Sequence, residues 1–196
     1  MYRKLLTAVT LICCFSSFSF SQGLMHSVGA NFSYLTGKVK DQYSSSNFSL
    51  VQTNLSYFPR FNIAEMENSS LSVGVPLGLG FGIAKSVNGD DAGIGFAYDL
   101  PIVLDYNIGC KSSYDNEGTF GGYFGLGFGY SHVSISESSY MDFKGTSYGP
   151  MVRAGIRIGS DSESWADHAI TLGFSFKKGL EKEKLNTFGL SVLLDL

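Results

Sequence analysis

The sequence has little charge, little cysteine and no long apolar run beyond its first residues. Charged residues make up 16% of its 196 residues, whereas an average soluble domain has about 25%. After residue 21 the only cysteine is Cys110, so the chain cannot form an internal disulfide, and we expect this thiol to be structural. The same part of the sequence lacks the ~18 consecutive apolar residues that a transmembrane helix needs. These absences exclude a disulfide-stabilised scaffold and a helical membrane protein, and they are atypical of an ordinary soluble domain.

Glycine and aromatic residues are abundant instead. The chain contains 24 Gly, 16 Phe and 11 Tyr, although glycine usually makes up only ~7% of a protein. Ala, Leu, Glu and Lys are scarce relative to Gly, Ser and the aromatic residues, which disfavours a helical fold. The aromatic content also excludes a disordered chain. The composition therefore favours an all-β protein.

The N-terminus has the features of an export signal. Arg3 and Lys4 precede an apolar run over residues 5–15, and serines occupy the third and first positions before Gln22. This pattern predicts a signal peptide over 1–21, cleaved before Gln22, and a single domain over 22–196. Loss of the two basic residues changes the formal net charge from −3 to −5. Because phosphate binding needs clustered basic residues, nucleic acid is not expected as a partner.

Period-two alternation is the dominant pattern within 22–196. Between 70 and 82, large apolar side chains at odd positions alternate with Gly, Ser and Pro at even positions, which is typical of strands and not of helices. The pattern recurs often enough to predict eight strands of ~9–13 residues, the length needed to cross a membrane at a tilt. Polar segments separate them, at 37–46, 59–69, 83–93, 110–118, 132–144, 159–167 and 178–185.

The composition of the two strand faces indicates what each face meets. The small-residue face would suit the narrow interior of an eight-stranded barrel, and the large apolar face would suit lipid, where a closed barrel satisfies every backbone group. Six charges fall on the predicted lumen face: Asp99, Asp105, Arg153, Arg157, Lys177 and Asp195. We therefore predict an eight-stranded antiparallel up-and-down transmembrane β-barrel. Its lumen charges pair and plug it, or else they line a small polar pore.

Two features of this barrel can be predicted more finely. Arg157 should pair with Asp105, Asp195 or both, because strands four, six and eight run in the same direction. Pro76 and Pro101 fall inside strands three and four, and proline removes a hydrogen bond from the strand ladder. We therefore expect a β-bulge near each of these two prolines.

The strand motifs support a resemblance to a known family. Residues 72–78 (SVGVPLG), 99–109 (DLPIVLDYNIG) and 122–130 (GYFGLGFGY), together with the export signal, resemble the small outer-membrane β-barrel proteins of Gram-negative-type bacteria. The resemblance covers 22–196. It implies an outer-membrane location, contact with outer-membrane lipid, and handling by the outer-membrane assembly machinery. Many members end in Phe or Tyr, whereas this chain ends in Leu196, so the assembly signal is expected to be weaker.

Few residues suggest chemistry. His132, Ser134 and the nearby Glu137 faintly resemble the His-x-Ser of outer-membrane lipid A deacylases, but the rest of that pattern is missing. The three histidines lack metal-ligand spacing. We therefore predict no catalysis, no cofactor and no metal site.

Four functions fit this sequence. The first is a structural, adhesive or interaction protein, whose Ser- and Tyr-rich loops at 37–46 and 132–144 would contact an extracellular partner. The others are a narrow channel for small polar solutes, a lipid-modifying enzyme, and a soluble periplasmic ligand-binding barrel.

Overall fold

The computed structural model describes residues 23–40, 45–86, 92–116, 118–136, 142–159, 168–181 and 185–196. The predicted signal peptide and its cleavage position lie outside these residues. The described strands are β1 (Leu24–Lys40), β2 (Ser45–Met66), β3 (Ser69–Gly74), β4 (Leu77–Ser86), β5 (Ala92–Asp99), β6 (Ile102–Gly109), β7 (Phe120–Ser136), β8 (Asp142–Gly159), β9 (Ala169–Lys177) and β10 (Asn186–Asp195). No helix in the described part of the chain is long and apolar enough to cross a membrane.

The ten segments make eight barrel strands. β3 and β4 both pair with β2, end to end, and β5 and β6 both pair with β7 in the same way. Each of these two pairs of segments is therefore one strand with a short interruption. All pairings are antiparallel, and β1 pairs with both β2 and β10, which closes the barrel. The predicted eight-stranded antiparallel barrel is confirmed.

The strands are strongly staggered around the barrel. If the paired residues are followed from Tyr34 of β1 through β2, β4, β5 and β7, the residue reached on β8 is Asp142. If they are followed in the other direction, through β10 and β9, the residue reached on β8 is Val152, which lies ten residues after Asp142. A barrel of eight strands with this stagger has strands tilted by roughly 35–45°. Residues that face each other in the ladder therefore lie at different heights.

The two faces of the wall differ as the sequence predicts. Leu55 and Phe81 on the outer face are 75% and 67% exposed, whereas Gln52 and Asn54, on the inner face, are each 1% exposed. Apolar side chains cover the outer face of every strand. Such a continuous apolar surface is stable in lipid and not in water. The barrel is therefore a membrane-spanning one.

The strands are longer than the sequence pattern suggests. β2 continues to Met66 and turns within two residues, so most of the predicted 59–69 turn is strand. The polar segments 37–46, 83–93 and 132–144 also begin and end within strands. Polar residues mark where a strand leaves the membrane, but they do not mark where it ends, because the hydrogen-bonded ladder of the barrel continues into water.

The two prolines interrupt the ladder without a bulge. The register is the same on both sides of the break, with Gly74 opposite Val103 and Gly78 opposite Asp99. The expectation of a bulge near Pro76 and Pro101 is therefore wrong. The register shift lies between Asn62 and Ala64 of β2. Each proline stays at its place in the ladder and leaves out only its own hydrogen bond.

Candidate functional site: the lumen and the distal rim

The end of the barrel that carries Gly23 and Leu196, here the terminal end, is closed by a turn. The turn after β6 folds inward and buries Cys110, Lys111 and Ser112. Arg60 Nη2 donates to the Lys111 carbonyl at 2.7 Å, and Arg157 Nη1 donates to the same oxygen at 3.3 Å. Lys111 adopts a φ of 52°, a left-handed conformation that aims its carbonyl at these donors. The turn therefore acts as a plug at the terminal end.

Cys110 lies in this plug. It follows the last residue of β6 and is 2% exposed. Burial raises the pKa of the Cys110 thiol, because a thiolate would lose its hydration. The thiol is thus kept protonated and unreactive.

Two ion pairs cross the lumen above the plug. Arg157 Nε lies 3.6 Å from Asp195 Oδ2, and Arg153 Nε lies 3.7 Å from Asp105 Oδ1. The carboxylate of Asp195 also accepts from the hydroxyls of Ser27 and Thr171. Of the two partners considered for Arg157, the structure pairs it with Asp195, while Asp105 pairs with Arg153.

Gly125 explains why Asp105 pairs with Arg153. The register places Asp105 opposite Gly125, and Gly125 opposite Arg153, so the pair spans one strand that has no side chain at that position. The Arg153 guanidinium also lies over two aromatic rings, 4.5 Å from the centre of Phe58 and 4.6 Å from that of Tyr123. The glycine thus makes the space in which the ion pair forms.

The remaining two charges predicted for the lumen lie nearer the other end, here the distal end. Asp99 accepts from Asn54 Nδ2 at 2.7 Å and from Gln52 Nε2 at 3.1 Å. Lys177 Nζ donates to the hydroxyl of Ser131, which the register places directly opposite Asp99. One serine hydroxyl therefore lies between the carboxylate and the ammonium group.

A chamber of about 70 Å³, lined by both polar and apolar residues, occupies the lumen at this level. Below it lies an apolar layer, and above it lies a second one. The lower layer comprises Phe58, Val103, Met151 and Leu193, and the upper layer comprises Leu35, Leu50, Ala97 and Val133. The chamber wall includes Asn31, Ser33, Pro76, Asp99, Pro101, Ser131, Ser175, Lys177, Thr187 and Ser191.

Two further cations are buried in the lumen that are not among the six charges predicted from the sequence. Arg60 and Lys111 are 1% and 3% exposed. Arg60 lay in the predicted 59–69 turn, and Lys111 at the start of the predicted 110–118 turn. Arg60 keeps the period-two phase of Asn54 and Phe58, and this phase is the signal that would have placed it in the lumen.

The residues that suggested chemistry lie outside the lumen. His132 and Ser134 share the phase of the lipid-facing Phe124 and Leu126 on β7. His132 Nδ1 is 3.1 Å from Thr146 Oγ1, and its ring centre is 5.3 Å from that of Tyr98. Among the described residues no hydrogen bond joins His132 to Ser134, and Glu137 lies outside them. No three His, Cys, Asp or Glu side chains cluster as metal ligands in the described part of the chain.

The distal rim is uneven. The last pair between β1 and β10 is Thr36 with Asn186, yet β1 continues to Lys40, paired with β2 alone. On the other side of the β9–β10 hairpin, β8 residues Asp142–Thr146 pair with β7. No described residue pairs with their opposite edge. Among the described residues, two strand edges on either side of the short β9–β10 hairpin therefore have no backbone partner, and we call them the open edges.

The architecture has counterparts among solved structures. No protein-family model matches the sequence, and no curated protein matches it. Neisserial surface protein A shares 11% identity over 89% of this chain and 96% of its own, with a TM-score of 0.50. Outer membrane protein OprG from Pseudomonas aeruginosa shares 10% over 88% and 93%, with a TM-score of 0.51. Ail of Yersinia pestis shares 12% over 89% and 97%, with a TM-score of 0.50. In strand number, closure and surface, this chain has the fold of the small eight-stranded outer-membrane β-barrel proteins.

Proposed function

We propose that this chain is an outer-membrane protein that binds another polypeptide at the cell surface and has no catalytic activity. The signal peptide over 1–21 and its removal before Gln22 belong to the same proposal. The terminal end then faces the periplasm, and the distal rim faces outward.

The observation that carries this proposal is that the two open edges on the distal rim have no pairing strand in the part of the chain that the structure describes. Lys178 N–H donates to the Pro150 carbonyl, and Leu180 N–H donates to the Tyr148 carbonyl. Even-numbered residues of β8 therefore direct their backbone groups toward this edge, including Lys144 and Thr146. Unpaired backbone groups outside the membrane can add an extended segment of a partner as a further strand.

The lumen supports a scaffold more than a pore. The turn at Lys111 fills the terminal end, and the buried apolar layer around Leu35 and Leu50 narrows the distal end. In planar bilayers we expect no stable single-channel conductance in 1 M KCl. A stable conductance would instead favour the narrow-channel alternative.

The rim also has the location expected of a contact surface, because loops and edges on a rigid scaffold carry recognition. The edges border the segments at 37–46 and 132–144 from which the sequence predicts partner contacts. The attachment invasion locus protein of Yersinia pestis has the same fold.

Recognition through this edge can be tested by removing a single backbone N–H donor, that of Lys144. Lys144→Pro removes the edge N–H but no ladder bond, because the groups that pair with β7 belong to odd-numbered residues. Lys144→Ala removes the same side chain and keeps the N–H. Bacteria displaying each variant at equal density are applied to a panel of immobilised extracellular-matrix proteins.

We expect the natural chain and Lys144→Ala to bind a member of the panel, and Lys144→Pro to bind at least tenfold less. Heat-modifiable gel mobility and whole-cell antibody labelling check that all variants are folded and displayed. Equal binding by Lys144→Pro and Lys144→Ala would contradict recognition through this edge.

A further inference from the structure

All four prolines of the chain lie along one path around the barrel wall. Pro59 in β2 faces Val75, and Val75 N–H donates to the Pro59 carbonyl at 3.0 Å. The shared register of the β3–β6 and β4–β5 pairings places Pro76 opposite Pro101. Pro150 of β8 follows Gly149, which pairs with Gly129 of β7. The wall therefore loses several N–H donors in one region.

Pro76 and Pro101 form the most unusual pair on this path. Leu100 N–H donates to Tyr130 of β7, and Val75 N–H donates to Pro59 of β2. Because successive residues of a strand direct their backbone groups to opposite sides, the groups of Pro76 and Pro101 point at each other. At this position two residues normally exchange two hydrogen bonds. Neither proline has an N–H, so both bonds are missing.

Each of the two carbonyl oxygens is consequently directed at the nitrogen of the opposite proline, which has no hydrogen to donate, within the membrane-spanning wall. No described backbone or side-chain donor reaches either one. An unsatisfied backbone group in lipid costs several kcal/mol, so a donor from elsewhere is required. Both prolines line the chamber, so a molecule within the chamber can supply the donor from the lumen side.

The chamber offers further acceptors but little net charge. Thr187 Oγ1 lines the chamber and has no hydrogen-bond partner among the described residues. Asp99 and Lys177 are joined through Ser131, and Arg153 is paired with Asp105. A charged guest would leave one of these groups uncompensated in a low dielectric. An uncharged guest with several N–H or O–H donors fits both the free carbonyls and the balanced charges.

We propose that the chamber is a binding site for a small uncharged polyol or primary amide, with two of its donors bonded to the Pro76 and Pro101 carbonyls. The cavity of about 70 Å³ has room for several water molecules. This space limits the guest to about the size of glycerol or acetamide.

The probe for this site is glycerol, added to the isotope-labelled protein in lipid nanodiscs. We expect saturable shifts of the backbone amide signals of Gly78, Asp99 and Ser131. Sodium propionate and propylammonium chloride, which match the size but carry charge, should bind at least tenfold more weakly. Equal shifts with all three compounds would overturn the selectivity, and the absence of saturable shifts up to 1 M glycerol would overturn the site.

A double variant tests the role of the prolines. Pro76→Val with Pro101→Val restores both donors with side chains of similar volume, so the ladder should close. Glycerol affinity should fall at least tenfold, and amide exchange at residues 76 and 101 should become slow. The matched control is Pro150→Val, which restores a donor toward β9 and should leave glycerol binding unchanged.

A second variant keeps the proposal testable if the double variant fails to fold. Ser175→Leu fills the chamber from β9 without touching either proline. Glycerol binding should then be lost while heat-modifiable mobility shows a folded barrel. Unchanged glycerol binding in Ser175→Leu, or in a folded double proline variant, would refute the proposed site.

Discussion

Gly125 gives the sharpest stability prediction, because the ion pair between Asp105 and Arg153 occupies the space that a side chain at this position would need. A Cβ atom at this position would lie 1.9 Å from Asp105 Oδ1 and 3.0 Å from Arg153 Cγ. The first distance is far below any real contact, and Asp105 is fully buried. The Gly125→Ala methyl must therefore displace the carboxylate from Arg153.

The magnitude follows from what that displacement leaves behind. Separating a buried ion pair costs about 3–5 kcal/mol, because each charge remains without compensation. Alanine is otherwise favoured over glycine within a strand by roughly 0.5–1 kcal/mol. We therefore expect Gly125→Ala to lower the free energy of unfolding by about 2–4 kcal/mol, opposite in sign to the propensity effect.

The assay is urea unfolding in lipid vesicles, followed by far-UV circular dichroism and heat-modifiable mobility. Asp105→Asn removes the charge that the methyl displaces. The cost of Gly125→Ala with Asp105→Asn should therefore be clearly less than the sum of the two single costs. A destabilisation below about 0.5 kcal/mol, or simple additivity, would refute the idea that Gly125 makes room for this pair.

Three further predictions address the rest of the barrel. Arg157→Ala should destabilise by about 3–5 kcal/mol in urea unfolding, since it strands the buried Asp195 carboxylate; adding Asp195→Ala should recover part of this loss, and a double cost equal to the sum would contradict the pairing. Leu104→Arg should cost about 2–4 kcal/mol in the same assay, because Leu104 faces lipid opposite Leu126; tolerance without measurable cost would contradict its position in the bilayer. Protease added to intact cells should cleave only at the distal end, and cuts confined to 59–69 or 110–118 would reverse the orientation; the expected segments are 37–46, 83–93, 132–144 and 178–185.

The sequence alone determined the class of fold and the direction of its faces. Period-two alternation is a local property, so each strand could be recognised without its neighbours. The contrast between Leu, Phe and Tyr on one face and Gly, Ser and Asn on the other also decided which face meets lipid. For the same reason, charges as far apart as Asp99 and Asp195 could be placed on one face.

Strand ends and ladder details were less predictable. The predicted turn at 59–69 includes Arg60, yet the strand continues through this position and Arg60 binds the plug at Lys111. Pro76 and Pro101 each suggested a bulge. Their register shows instead that they face each other, a relation between two strands that neither strand's own sequence contains.

Only the tertiary structure decided which charges meet. In a tilted, staggered barrel, residues from distant strands come to one level through the register and shear, and alternation carries no information about either. Asp105 therefore reaches Arg153 across the bare Gly125, and Arg157 reaches Asp195. The sequence determined which face of each predicted strand meets the lumen, and barrel closure determined the partners of the charges there, because those distances are fixed only when β10 pairs with β1.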